Sequence, residues 1–267
     1  MYFKQNKKEV IIMNNEPKIL LFDIENAPNT AYIWGLWQET TSSEMVDMPW
    51  FTLCWAAKWL GKKEIMSSAL IDFPKNYKQN PEDDKMILQT LWKLLDEADI
   101  VIAHNGKNFD VRKANARFIM NKMPPPSPFK VVDTLLEARK YFFFTSNKLN
   151  DLGKYLGCGE KVETGGFKLW KQCMAGDLKA WERMVKYCKN DVVLLEKIYL
   201  KMRPFMATHP NVNVYLDNSN PQCPKCSSKK VAREGYAYTD VAKYQRYSCT
   251  ECHGWFRGRE NLKKKEK

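Results

Sequence analysis

With 267 residues, 44% of them apolar and 28% charged, the chain is expected to bury a sizeable core, which excludes a disordered polypeptide. No apolar run reaches the ~18 residues that cross a bilayer, and MYFKQNKKEVIIM has an apolar patch too short for a signal peptide, so no membrane partner and a cytoplasmic location are expected. The formal net charge is +12, and from Gln222 onward 12 Lys/Arg face 5 Asp/Glu, an excess that favours a polyanionic partner.

Residues 1–17 read as a basic N-terminal extension with a short strand at Val10–Met13. The apolar run Ile19 to Phe22 then predicts a buried strand that carries Asp23 and Glu25 and ends at a turn, Ala27-Pro28. Side chains two apart on a strand share a face. Two adjacent carboxylates raise each other's pKa, and a divalent metal is the usual reason to keep such a pair; a solvated strand end is the plainer alternative.

Thr30 to Met48, with Trp34 and Trp37, is a long connection, either a flap packed on the core or a wall over a cleft. Residues 50–72 read as a hairpin broken at Gly61-Lys62. A helix is expected over 81–98, begun by Pro81 and its acidic neighbours, with Ile87, Leu88, Leu91, Leu94 and Leu95 as one stripe. A buried strand at 99–104 leads to a helix at 108–120 with Phe109, Val111, Ala116 and Ile119 as its buried side. After the stiff loop MPPPSP come a strand at 130–132, a helix from Asp133, and a short helix at 147–157 closed by Gly157. Turns at Gly165-Gly166 precede a long helix over 177–205, divided near Asn190. Three strands followed by alternating helices and strands predict an α/β fold with a mixed sheet.

Asp110 falls near a helix start, where an acidic side chain favours the helix dipole, and Tyr187 and Asp191 stand four apart on one helix face. Taken together, FDIE, then HNGKNFD, then YxxxD resemble the DEDD exonuclease superfamily, and the tyrosine resembles its DEDDy branch, which includes proofreading domains of DNA polymerases. DTL at 133–135 and NKLNDLGKYLG are also similar to segments of that superfamily, and the stretch looks most like stand-alone exonucleases of phages and bacteria. The resemblance spans about residues 18–205 and implies an RNase H-like sheet flanked by helices. It also implies Asp23, Glu25, Asp110 and Asp191 as ligands of two Mg²⁺ or Mn²⁺ ions, with Asp23 bridging and Tyr187 orienting the attacking water. Asn105 and Phe109 match positions that meet the terminal nucleotide. Asn26 stands where many relatives have Thr or Ser, which leaves the choice between deoxyribose and ribose ends open. His104, at a strand end, is expected to satisfy a local backbone group.

The implied activity is 3′→5′ hydrolysis of single-stranded DNA, with release of nucleoside 5′-monophosphates. RNA ends, structure-specific cleavage and a non-catalytic binding protein are the competing readings. The cytoplasm would be bacterial, or the host's if the chain is phage-encoded.

Beyond a linker at 206–220, residues 221–259 hold Cys223-x2-Cys226 and, after a 22-residue spacer, Cys249-x2-Cys252. Two such pairs suit one tetrahedral Zn²⁺ in a zinc ribbon, and the remaining single cysteines suit a reducing compartment. Lys and Arg interleaved with Tyr and Trp fit a single-stranded nucleic-acid surface; docking to a replication or repair protein is the alternative. A basic tail, 260–267, follows.

Overall fold

The computed structural model describes residues 16–37, 40–216 and 221–263, so the strand expected at Val10–Met13 lies outside the described residues. They form two compact units, Lys18–Pro210 and a second beginning at Asn211.

In the first unit, β1 (Ile19–Asn26) is followed by the short pair β2 (Thr30–Ala31) and β3 (Val46–Met48), then by β4 (Thr52–Trp59) and β5 (Met66–Ala69). Next come α1 (Pro74–Gln79), α2 (Lys85–Glu97), β6 (Ile100–Ala103), α3 (Asp110–Met120), β7 (Lys130–Asp133) and α4 (Thr134–Tyr141). Three helices complete the unit: α5 (Leu149–Tyr155), α6 (Lys168–Met174) and α7 (Leu178–Met202). The sheet order is β5-β4-β1-β6-β7. β1 pairs antiparallel with β4 and parallel with β6, so the expected mixed sheet is present with β1 at its centre.

Alternation along β4 explains its unbroken apolar run. Trp55 turns to one face, where its indole N–H donates to the Ile87 carbonyl of α2 at 2.8 Å. Lys58, of opposite parity, pairs with Glu196 of α7. The strand is covered on both sides and has no solvent face. α7 packs across β4, β1 and β5. It is unbroken, contrary to the division expected near Asn190: that side chain points outward and donates to the Glu160 carbonyl, leaving the helical ladder intact.

Two other expectations fail for a shared reason, the inward turn of a charged residue. α3 buries Asp110, Ala114 and Phe118, whereas Ile119 is 75% exposed and Phe109 40% exposed. Once Asp110 faces the sheet, a 3.6-residue period puts positions four and eight further on inside and turns Ile119 out. α2 starts at Lys85 rather than 81 because Asp84 is engaged elsewhere. Its carboxylate, fully buried, accepts from Arg117 at 2.6 and 2.7 Å, from the Thr52 amide and from the Asn121 side chain. Removing one partner of such a pair strands a buried charge. Arg117→Met is therefore expected to cost about 3–5 kcal/mol, read as a lower urea midpoint; a loss under ~1 kcal/mol would mean that Asp84 is solvated.

The second unit opens with a 3-10 turn, Val212–Tyr215, and continues as a three-stranded antiparallel sheet ordered β10-β9-β8. Its strands are β8 (Val231–Tyr238), β9 (Lys243–Cys249) and β10 (Trp255–Arg257). No helix of the described residues is long and apolar enough to cross a membrane.

Candidate active site

β1 delivers Asp23 and Glu25 to the face that α7 covers. The register opposes Glu25 to Cys54 of β4, and the Cys188 thiol of α7 lies 3.5 Å from the Asp23 carbonyl. Ligand atoms of Asp23, Glu25 and Cys188 all lie within 4.8 Å of one another.

Asp110 and Asp191 stand outside that tight group, each turned to a partner of its own. The Asp110 carboxylate accepts from the Ile24 amide at 3.3 Å, which ties the start of α3 to β1. Asp191, one turn beyond Tyr187 on α7, accepts from the Lys161 ammonium at 2.5 Å. That ammonium also donates to the Tyr187 hydroxyl at 2.8 Å.

The electrostatics show that the four carboxylates act on one another. Burial, then the charge of Asp191, pushes Asp23 up to about 7. Burial, then Asp23, pushes both Glu25 and Asp110 well above the usual carboxylate range. Asp191 is raised by burial, against the lowering effect of Lys161. Burial works against the Lys161 charge, but Asp191 more than offsets it and holds the ammonium protonated. Tyr187 is driven upward by burial and by Asp191, so its phenol stays protonated at neutral pH. Its oxygen accepts from Lys161, and its hydroxyl also hydrogen-bonds Asp191, which helps to lower that carboxyl.

The donor set fits a hard divalent cation. Four carboxylates supply only oxygen ligands, and one oxygen of the buried Asp191 has no hydrogen-bond partner. A buried acceptor without a donor is costly unless a cation or another donor reaches it. The Asn26 side-chain nitrogen is the mirror case, a buried donor without an acceptor, while its oxygen accepts from Thr52 at 3.4 Å.

The Asn105–Phe109 turn is built on Asp133. That carboxylate accepts from the amides of Asn105, Lys107, Leu135 and Leu136, so one side chain both caps α4 and holds the turn. Gly106 is required there, since a Cβ would meet the Ala103 Cβ at 2.4 Å. Asn105 adopts φ 67, a left-handed conformation that asparagine tolerates. His104 meets the Thr134 hydroxyl at 2.9 Å and the Asn147 carbonyl at 3.0 Å, so it does meet a backbone group, but one 43 residues away rather than the local one expected. Burial lowers its imidazole to about 4, so it is neutral at physiological pH.

Sequence reasoning missed Lys161, Cys188 and the role of Asp133. Lys161 lies in an irregular segment between Gly157 and Gly165 that carries no periodic pattern. Cys188 was visible as the residue three before Asp191 on the same helix, and its position there was the available signal. Trp34 and Trp37 are 97% and 95% exposed, so the flap packed on the core is not formed; the loop has no apolar counterface among the described residues.

In the second unit, the sulfurs of Cys223 and Cys252 are 3.5 Å apart and those of Cys226 and Cys249 3.7 Å apart. Four thiolates around Zn²⁺ at about 2.3 Å would have edges of about 3.8 Å. The observed spacing fits a metal and not a pair of disulfides, whose bond is about 2.0 Å. His253 is outside this group of potential ligands.

Comparison with known proteins bears on the fold. The family model described as the RNase H superfamily matches residues 59–203, a stretch that includes Asp110, Tyr187 and Asp191. No curated protein matches the chain. Among solved structures, it is similar to the family B DNA polymerase from the hyperthermophilic archaeon Pyrobaculum calidifontis, with 13% identity and a TM-score of 0.50. That match covers 87% of this chain and 33% of the polymerase, so the chain spans about a third of the length of that protein. The likeness is one of fold.

Proposed function

The chain belongs to the RNase H superfamily, and on that premise we propose that it is a metal-dependent 3′→5′ exonuclease of the DEDDy type acting on single-stranded DNA. Membership supports nuclease chemistry on a nucleic acid. What supports the finer reading is the close pair Asp23 and Glu25, with Asp110 and Asp191 near enough to act on it electrostatically and Tyr187 held beside Asp191 by Lys161.

In this reading the four carboxylates hold two Mg²⁺ or Mn²⁺ ions, which when bound supply charge for water activation and for the leaving 3′-oxygen. The chain's own groups position the rest. Tyr187, its phenol protonated, orients the attacking water by hydrogen bonding. Its raised pKa argues against a role as general base. Asn26 offers its unpartnered N–H to an oxygen of the terminal nucleotide, and the half-exposed Phe109 ring offers a face for its base. The ribbon holds one structural Zn²⁺ and grips the strand. A cytoplasmic location suits this thiolate site, since a reducing compartment keeps the cysteines available to metal.

Lys161 is a positioning residue here, holding both Asp191 and Tyr187. Lys161→Met is expected to slow single-turnover hydrolysis by about 100-fold, with Lys161→Arg recovering part of the rate. Unchanged turnover in the methionine variant would remove Lys161 from the site.

The test of the function is a time course on 5′-labelled single strands, DNA and RNA, with Mg²⁺ or Mn²⁺, beside an Asp23→Ala control. A descending ladder from DNA, absent without metal and in the variant, is the expected result. A ladder from RNA alone would reassign the substrate, and strands that bind but stay intact would move the chain to a non-catalytic role.

A further inference from the structure

The ribbon unit contains a cavity of about 630 Å³ that the metal site does not explain. One wall is the 3-10 turn, held to the first Cys pair by the Val212 amide donating to the Pro224 carbonyl and the Asn213 side chain donating to the Gln222 carbonyl, both at 2.8 Å. The opposite wall is the segment after β10, which returns along β9 through Gly258 to Gln245 and Leu262 to Lys243.

Three properties of the lining specify a ligand. First, it contains buried acceptors without donors. Gln222 is only 5% exposed, yet its side-chain oxygen meets no donor, and the Asn213 side-chain oxygen is likewise buried and unpartnered. The Asn213 amide orientation is fixed by the bond from its nitrogen to Gln222, so the oxygen is the atom left over. Second, Tyr247 and Phe256, stacked on each other with centroids 5.2 Å apart, contribute aromatic side chains to the wall. Third, the rim is cationic: Arg233, Arg257 and Arg259 against a single carboxylate, Glu260.

Unpartnered acceptors in lining residues call for N–H donors, aromatic side chains in the wall for a planar ring, and a guanidinium rim for a phosphate. We infer that the ribbon cavity is a binding site for one nucleotide, with base N–H groups at Gln222 and Asn213 and phosphate at Arg233 and Arg259. This deepens the strand-gripping reading of the ribbon, but it does not require catalysis. The same chemistry could come from a free mononucleotide or from a nucleotide within a strand.

Calorimetric titration of the full, Zn²⁺-loaded chain without Mg²⁺ tests this, with dAMP, inorganic phosphate and a short deoxyadenosine oligonucleotide as probes. Zn²⁺ content serves as the folding control for each variant. The Arg233→Gln/Arg259→Gln double variant, altered only at exposed positions, is expected to weaken dAMP and phosphate at least ten-fold. Gln222→Leu is expected to weaken dAMP similarly while leaving phosphate unchanged. Oligonucleotide that displaces dAMP identifies a strand nucleotide as the ligand; oligonucleotide that does not identifies the free mononucleotide. Absence of dAMP binding, or binding equal in wild type and both variants, overturns the proposal. Neither result bears on hydrolysis, which is read separately from the labelled strands.

Discussion

Asp110→Asn should abolish hydrolysis, by about 1,000-fold or more, and at the same time raise the melting temperature of the Mg²⁺-free protein. The two effects have one cause. In the absence of cations burial lifts the carboxyls of Asp110, Asp23 and Glu25, the charge of Asp23 raises the other two further, and the charge of Asp191 raises Asp23. A carboxyl whose folded pKa lies above its unfolded value favours folding below the unfolded value and loses that contribution as pH rises through the folded one. For Asp23 the window runs from 3.8 to about 7, so the penalty is nearly complete at pH 8. Asparagine keeps an oxygen to accept from the Ile24 amide and removes one charge from the cluster. A gain of about 2 kcal/mol, roughly 4–8 °C for a unit of this size, is expected at pH 8. It should shrink towards pH 5. Adding Mg²⁺ should stabilise the wild type and narrow the difference. Thermal melts at both pH values, with Zn²⁺ retained, read this directly. A variant that is less stable at pH 8 would mean that the site is not electrostatically strained, and full activity would remove Asp110 from the ligand set.

The outline of this centre was legible because each part rests on local rules. Strand alternation placed Asp23 and Glu25 on one face, and helix periodicity put Tyr187 and Asp191 together. The hairpin at Gly61 and the helix end at Gly157 followed from glycine's backbone freedom; the latter has φ 61. What was not legible depends on pairing across the fold. Nothing near Arg117 indicates that it reaches Asp84, 33 residues away in sequence, yet that pair delays the start of α2. The phase of α3 was misjudged because apolar residues were assigned inward, whereas burial of Asp110 sets the phase. α6, a two-turn helix after Gly165-Gly166, was too short to stand out from the longer helix beside it. Lys161 shows the same limit at the site itself. Its segment has no period, and its meaning comes from two partners 26 and 30 residues later.

Cys223→Ser with Cys226→Ser should release Zn²⁺ and unfold the ribbon while leaving the first unit folded. The ribbon sheet has only three strands, and its described core is the cysteine group with Val231 and Phe256 packed against it. So small a cluster buries too little apolar surface to offset the entropy of ordering the chain. Structural Zn²⁺ contributes about 10–16 kcal/mol in comparable small modules, so its loss should be decisive. Without metal the thiols themselves resist ionisation. Cys226 is raised chiefly by its hydrogen bond with Cys223, then by burial, and Cys252 chiefly by burial. Zinc content should fall from one per chain to none, and amide exchange across β8, β9 and β10 should lose protection while β1 and β4 keep theirs. The nucleotide cavity would disappear with the ribbon, since one wall is held to the first Cys pair and the other to β9, and binding of single strands should weaken. Strand binding retained by a zinc-free chain would assign the grip to the first unit and leave the ribbon to dock a protein. Retention of zinc by the double variant would mean that other ligands complete the site, with His253 the nearest candidate in sequence.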